Sequence, residues 1–122
     1  MNQCLFAKTI YGVLASKSNG RRLVYWRGKS RLIKSVSALK WMNDATPQLC
    51  GGNKPITQEV RLICTVYYRS KLSDLDIELL KDSLQDSQVI KNDRQIVEIQ
   101  ARKRWDKEKP RVEVRLEVVD DL

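Results

Sequence analysis

The stretch VRLICTVYYRSKLSDLDIELLKDSLQDSQVIKNDRQIVEIQARKRW, from Val60 to Trp105, decides the reading of the fold. At its start Val60, Leu62, Cys64, Val66 and Tyr68 alternate with Arg61, Ile63, Thr65 and Tyr67. Successive side chains of an extended chain point to opposite faces, so this is a strand with one strongly apolar face. The loop Arg69-Ser70-Lys71-Leu72-Ser73 follows. Ile77, Leu80 and Leu84 then share one helical face, which predicts a helix over Ile77 to Gln85. Alternation returns from Gln95 to Arg104, a second strand.

Working outward, Arg111 to Val119 alternates again, with Val112, Val114, Leu116 and Val118 on one side and Arg111, Glu113, Arg115 and Glu117 on the other. The short segment Asp106-Lys107-Glu108-Lys109-Pro110 is expected to join these last strands as a hairpin loop. Upstream, Cys4 to Leu14 is apolar and β-branched enough for a first strand, ended by Ser16-Lys17-Ser18-Asn19-Gly20. Arg21 to Trp26 is a second strand, Arg27-Gly28-Lys29 a turn, and Arg31 to Lys34 a short strand pairing back. From Ser35 to Asp44 the spacing of Val36, Leu39 and Met42 suits a helix, which Pro47 and the Gly51-Gly52-Asn53-Lys54-Pro55 cluster interrupt. The expected fold class is α+β: one domain over residues 1–122, with a mixed, mainly antiparallel β-sheet and two helices.

Composition narrows the function. A chain of 122 residues buries roughly two thirds of its unfolded surface, enough for a core without disulfides or metals. Lys and Arg number 23 against 15 Asp and Glu, a net charge of +8 that favours a polyanionic partner. There is no histidine, which excludes Ser-His-Asp triads, Cys-His nucleophile pairs and His-ligated metals. Cys4, Cys50 and Cys64 are odd in number and widely spaced, so they are expected as buried free thiols in a reducing compartment. No apolar run approaches the ~20 residues that cross a bilayer, and Met1 to Ala15 lacks the pattern of a signal peptide. A cytoplasmic protein, with no membrane partner, is the expectation.

In so basic a chain the isolated acids are informative. Asp74 and Asp76 lie between a strand and a helix, and carboxylates two apart in extended chain project to the same side. That places both in reach of one Mg²⁺, which binds one or two carboxylates and keeps waters. Asp93 stands just before the next strand, and packing of the helix on the sheet is expected to bring the flanking strand ends, and the three acids, together. Three acids with a metal in a basic surface suit phosphodiester hydrolysis. The competing reading is local: Asp before a helix is a common N-cap, and Asn-Asp before a strand is ordinary turn chemistry.

The segment SDLDIELLKDSLQDSQVIKNDRQIVEIQARKRW, Ser73 to Trp105, resembles the RusA family of Holliday junction resolvases. Family members carry Asp-x-Asp at the start of a helix, then a short apolar connection ending in Asp before a Gln-Val-Val-like strand. Here those positions are Asp74, Asp76 and Asp93, the last followed by Arg94-Gln95-Ile96-Val97. The resemblance implies an endonuclease, bacterial or phage-encoded, that uses Mg²⁺ (Mn²⁺ as the alternative) and no small-molecule cofactor. It implies a homodimer acting on four-way DNA junctions, with metal held by Asp74, Asp76 and Asp93. The family usually has a lysine four residues after the second Asp; here Leu80 holds that place and Lys81 comes one later. Lys81 is therefore the catalytic candidate, with Lys17 or Lys91 as substitutes.

Two basic regions accompany the acids, one from Lys17 to Lys34 and one from Arg102 to Lys109. Lys17, Asn19, Arg21, Arg22 and Lys91 are the candidates for contacting phosphates, which positions a DNA backbone without reading bases. Trp26, Trp41 and Trp105 offer stacking surfaces for unpaired bases, with Trp41 better placed for a core. Two further functions stand beside the nuclease: a non-catalytic basic nucleic-acid-binding module, and a domain that binds an acidic protein. A nuclease of the Asp…Glu-x-Lys type fails on Asp93…Glu98-Ile99-Gln100, where the lysine is missing.

Overall fold

The computed structural model describes residues 3–16, 21–26, 28–34, 36–50 and 54–119, with only the backbone described in the second and third strands. Its most apolar strand, β4 (Val60–Tyr68), sits inside a four-stranded sheet. The order across the sheet is β1 (Cys4–Tyr11), β6 (Arg111–Val118), β4 and β5 (Ile96–Trp105). β6 runs antiparallel to both β1 and β4, while β5 runs parallel to β4 with Val60 opposite Ile96 and Tyr68 opposite Trp105. A separate antiparallel pair, β2 (Arg21–Trp26) and β3 (Lys29–Lys34), sets Arg21 opposite Lys34 and Arg22 opposite Ile33. The class is α+β, with a mixed and mostly antiparallel sheet.

Two helices, α1 (Val36–Leu49) and α2 (Glu78–Asp86), cover one face of the sheet. Val60, Leu62, Cys64, Val66 and Tyr68 of β4 join Val112, Val114 and Leu116 of β6 in one cluster with Ala38, Trp41, Ala45, Leu79, Leu80 and Leu84 from the helices. On the other face Arg61, almost fully buried, donates from Nε to Glu98 Oε2 at 2.7 Å, with Glu117 3.7 Å from its Nη1. No helix among the described residues is long and apolar enough to cross a membrane.

Four expectations need correction. Residues 106–110 do not close a hairpin, because β4 lies between β5 and β6. A strand this apolar satisfies its backbone on both edges only in the middle of a sheet. The connection instead passes over the end of β4, where the Asp106 N–H donates to the Tyr68 carbonyl at 2.7 Å. Second, α1 continues through Pro47 to Leu49. Proline removes one N–H, whose acceptor would be the carbonyl of exposed Asn43, and the last turn is held by Thr46 Oγ1 on the Met42 carbonyl and the Cys50 N–H on the Thr46 carbonyl. Third, the buried face of α1 is Ala38, Trp41, Met42, Ala45 and Leu49, whereas Val36 and Leu39 are exposed. The larger Trp41 chose the face. Fourth, only Cys64 is buried; Cys4 and Cys50 are exposed. Burial pushes the Cys64 thiol up to about 11.

β4, α2 and β5 form a parallel crossover, and this fixes the geography of the acids. The helix of such a unit runs against both strands, so residues before it lie at the strands' C-terminal ends and residues after it at their N-terminal ends.

Candidate active site at the head of the second helix

Asp76 is the best-anchored acid. Its N–H donates to the Tyr68 hydroxyl at 3.3 Å, its Oδ1 accepts the Glu78 N–H at 3.0 Å, and its Oδ2 accepts the Ser16 hydroxyl at 2.8 Å. The Glu78 bond satisfies one of the free N–H groups that open α2, a duty that Ile77 at the N-cap lacks the side chain to perform. Strand end, first loop and helix head thus meet on one residue.

Asp74 is exposed, and among the described residues its carboxylate accepts no hydrogen bond. The loop that carries it is tied down one residue earlier. Lys103 Nζ on β5 donates to the Ser73 carbonyl at 2.6 Å and to the Lys71 carbonyl at 2.9 Å. Tyr68 reports that both acids are near: burial foremost raises its pKa, and the charges of Asp76 and Asp74 raise it further against the opposing hydrogen bond from Asp76 N–H. Lys81, one turn into α2, pairs with Glu78 Oε1 at 2.9 Å and keeps a cation at this end.

Asp93 lies at the other end. It opens a 3₁₀ turn, Asp93–Gln95, at the foot of α2, where its N–H donates to Gln85 Oε1 at 3.0 Å. Neutral neighbours build that turn. Asn92 Oδ1 accepts the Arg94 N–H at 2.9 Å, and Gln95 Oε1 accepts the N–H groups of Lys91 and Asn92 at 2.8 and 2.9 Å. The Asp93 carboxylate is exposed and accepts nothing among the described residues. Nine residues of α2, at a rise of about 1.5 Å each, separate it from Asp76 by about 13 Å.

The expected convergence of three acids within one chain is therefore corrected. Asp74 and Asp76 share the head of α2, and Asp93 stands at its foot because β4 and β5 are parallel. Among the described residues no three of His, Cys, Asp or Glu are gathered closely enough to hold a metal ion. Of the phosphate-contact candidates, Lys91 is exposed at the foot of α2. Arg21 and Arg22 lie at the start of β2, and Lys17 and Asn19 fall outside the described residues.

Sequence reasoning passed over Ser16, Tyr68 and Lys103. Lys103 had a signal: it is the one cation among Val97, Ile99, Ala101 and Trp105 on the apolar register of its strand. Beside Ser16 opens a cleft of about 470 Å³, lined by Gly12, Val13, Lys40, Trp41 and Arg69 among others. Gly12 holds φ +131° there, a conformation that side chains rarely adopt. Arg69 brings positive charge to this groove, where Lys40 is paired with Asp44 at 3.0 Å, and the groove adjoins the Asp76 carboxylate through Ser16.

The family model of Endodeoxyribonuclease RusA matches residues 17–117, a span that holds all three aspartates and both helices. The chain belongs to the RusA endodeoxyribonuclease family. Family membership brings Holliday junction endonuclease activity in general, and with it the binding of branched DNA. RusA nucleases generally depend on a divalent metal. A search of the curated proteins finds no match to the chain.

Proposed function

We propose that this RusA-family chain, as one unit over residues 1–122, resolves four-way DNA junctions by paired, Mg²⁺-dependent phosphodiester hydrolysis in recombination and repair, working as a homodimer. Two-fold symmetry matches the task, because resolution needs equivalent nicks on opposing strands. The observation that carries the reading is the state of the carboxylates. Asp74 and Asp93 are exposed and engaged in neither the cap nor the turn that their positions suggested. Their place in the family match then has a chemical reason.

The donor set fits the metal. Asp74 and Asp76 offer hard oxygen ligands side by side, and Mg²⁺ needs only one or two carboxylates beside water and phosphate oxygens. Asp74 and Asp76 would hold the ion at the head of α2, and Asp93, at the foot, would reach it only from the other copy of the proposed homodimer; the ion when bound supplies an acidified water and neutralises charge on the phosphate. The chain's own groups do the positioning. Ser16 fixes the Asp76 carboxylate, the Tyr68 hydroxyl accepts the Asp76 N–H, and Lys103 holds the backbone that presents Asp74. The free N–H groups at the head of α2 favour an anion nearby, and Lys81 adds a positive charge for the reacting phosphate. Lys17, Asn19, Arg21, Arg22 and Lys91 would grip the flanking backbone.

The test is incubation of the purified protein with a synthetic four-way junction and a linear duplex, in Mg²⁺ and in chelator. Symmetric paired nicks in the junction alone, lost in chelator, are expected; binding without nicks in either Mg²⁺ or Mn²⁺ overturns the catalytic reading. One observation favours the alternative of a binding module: Asp76 does cap the first N–H of α2. On that alternative Asp76→Asn lowers stability by about 1 kcal/mol through the lost Ser16 hydrogen bond and leaves junction affinity unchanged, with no metal dependence.

A further inference from the structure

The cleft of about 470 Å³ beside Ser16 has no part in the chemistry above. Its size falls in the range of about 300–1,000 Å³ in which pockets hold small organic groups. One wall is α1, through Lys40, Trp41 and Asp44, and the other is the segment that leaves β1, through Gly12, Ala15 and Ser16. Arg69 and Pro110 join them from the ends of β4 and β6. Tyr11 and Tyr67 both stand opposite Arg111, and Tyr68 stands opposite Trp105, so the C-terminal ends of β1, β4 and β5 are level. The cleft therefore lies at the same end of the sheet as Asp74 and Asp76.

Its inside and its mouth differ in chemistry. Trp41 is 1% exposed, and Gly12, Ala15 and Pro110 are half-buried, whereas Lys40, Asp44 and Arg69 are exposed. Lys40 is taken up by Asp44 at 3.0 Å, but Arg69 makes no ion pair among the described residues. The buried Trp41 Nε1–H has no acceptor among the described residues. The ring edge that carries it faces Gly12, where a Cβ would stand 3.7 Å from the neighbouring Cδ1, and glycine puts no side chain before that edge. A guest suited to this cleft is flat and largely apolar, carries acceptors on its edge, and has an anionic group for Arg69. A nucleobase on its phosphate has all of these properties.

We propose that the cleft receives one unstacked nucleobase of the junction, next to the phosphate that meets Asp74 and Asp76, an inference that rests on the function proposed above. Ser16 joins the two places, since it lines the cleft and its hydroxyl donates to Asp76 Oδ2 at 2.8 Å. A seated base thus sets the position of the adjoining phosphate against the acids. Taking a base out of its stack costs a few kcal/mol in duplex DNA and least where pairing is already weakened. A branch point supplies such a base and a linear duplex does not, so the cleft favours branched over linear DNA.

The test reads binding by the wild-type protein in chelator, where no strand is cut. Four-way junctions are prepared with a single abasic site at each nucleotide flanking the branch point in turn. Loss of the base that fills the cleft should weaken binding about fivefold or more, and loss of the others should change it little. Affinities that are uniform across the scan overturn the proposal. At the sensitive position a 5-iodouracil base is then introduced and irradiated. Cross-links are expected in the peptides that contain Gly12 to Ser16 or Trp41, and cross-links confined to peptides elsewhere overturn the assignment to this cleft. The two readings fail separately. Paired nicks without base dependence overturn the cleft and leave the nuclease standing, whereas base dependence with cross-links but no nicks in Mg²⁺ or Mn²⁺ does the reverse.

Discussion

The two ends of α2 are built on opposite plans. At its head the acid is part of the framework: Asp76 receives Ser16 and Glu78 and gives its N–H to Tyr68. At its foot neutral residues carry the framework. Gln95 accepts two N–H groups and donates to the Ile56 and Gln58 carbonyls at 2.7 and 3.0 Å, which leaves the Asp93 carboxylate outside the network. A carboxylate that holds structure confounds stability with chemistry when it is replaced. One that holds nothing separates them.

The largest effect should come from that contrast. Asp76→Asn and Asp93→Asn are each expected to lower the rate of junction nicking by about a hundredfold to a thousandfold. Only Asp76→Asn should also lower the urea midpoint, and an unfolding midpoint that falls equally in both variants would erase the distinction between the two ends.

Next in size is the foot itself. Gln95→Ala removes four hydrogen bonds and should destabilise the protein by about 2 kcal/mol in urea unfolding, more than any substitution of Asp93. At the head, Lys103→Met should slow nicking severalfold, because the loop before Asp74 loses its two carbonyl ties, and junction affinity measured in chelator should change little.

The smallest effect concerns alkaline pH. Tyr68 has its pKa raised, chiefly by burial and then by the two acids at the head. A group that holds its proton more tightly when folded contributes stability below its unfolded value, about 10 for tyrosine, and loses it as pH climbs through the folded value. Cys64, pushed up to about 11, acts in the same sense from about 8.5 upward. The urea midpoint should therefore fall above about pH 9, and Tyr68→Phe should flatten the upper part of that decline. A midpoint rising over this range would refute the sign. At neutral pH a thiol reagent should modify Cys4 and Cys50 quickly and reach Cys64 only on unfolding.

Much of this molecule was legible in its sequence. Alternation from Val60 to Tyr68 marked β4 to the residue, and Arg21 to Trp26 matched β2 equally well. The helix between Asp76 and Asp93 lay within one residue of its place, and the acids on either side were visible as isolated charges. Those features are local: a period of two or of 3.6 residues is written in consecutive side chains, and so is an Asp-x-Asp before an apolar helix.

Tertiary structure alone decided how the pieces meet. Whether β5 runs with or against β4 depends on a partner strand some thirty residues away, and no local period encodes that choice. The parallel pairing sent Asp93 to the far end of α2, placed β4 between β5 and β6 where a hairpin was expected, and brought Ser16 from another segment onto Asp76. The sequence named the acids by itself, but their distribution between the two ends of a helix was settled by which strand edges satisfied their hydrogen bonds.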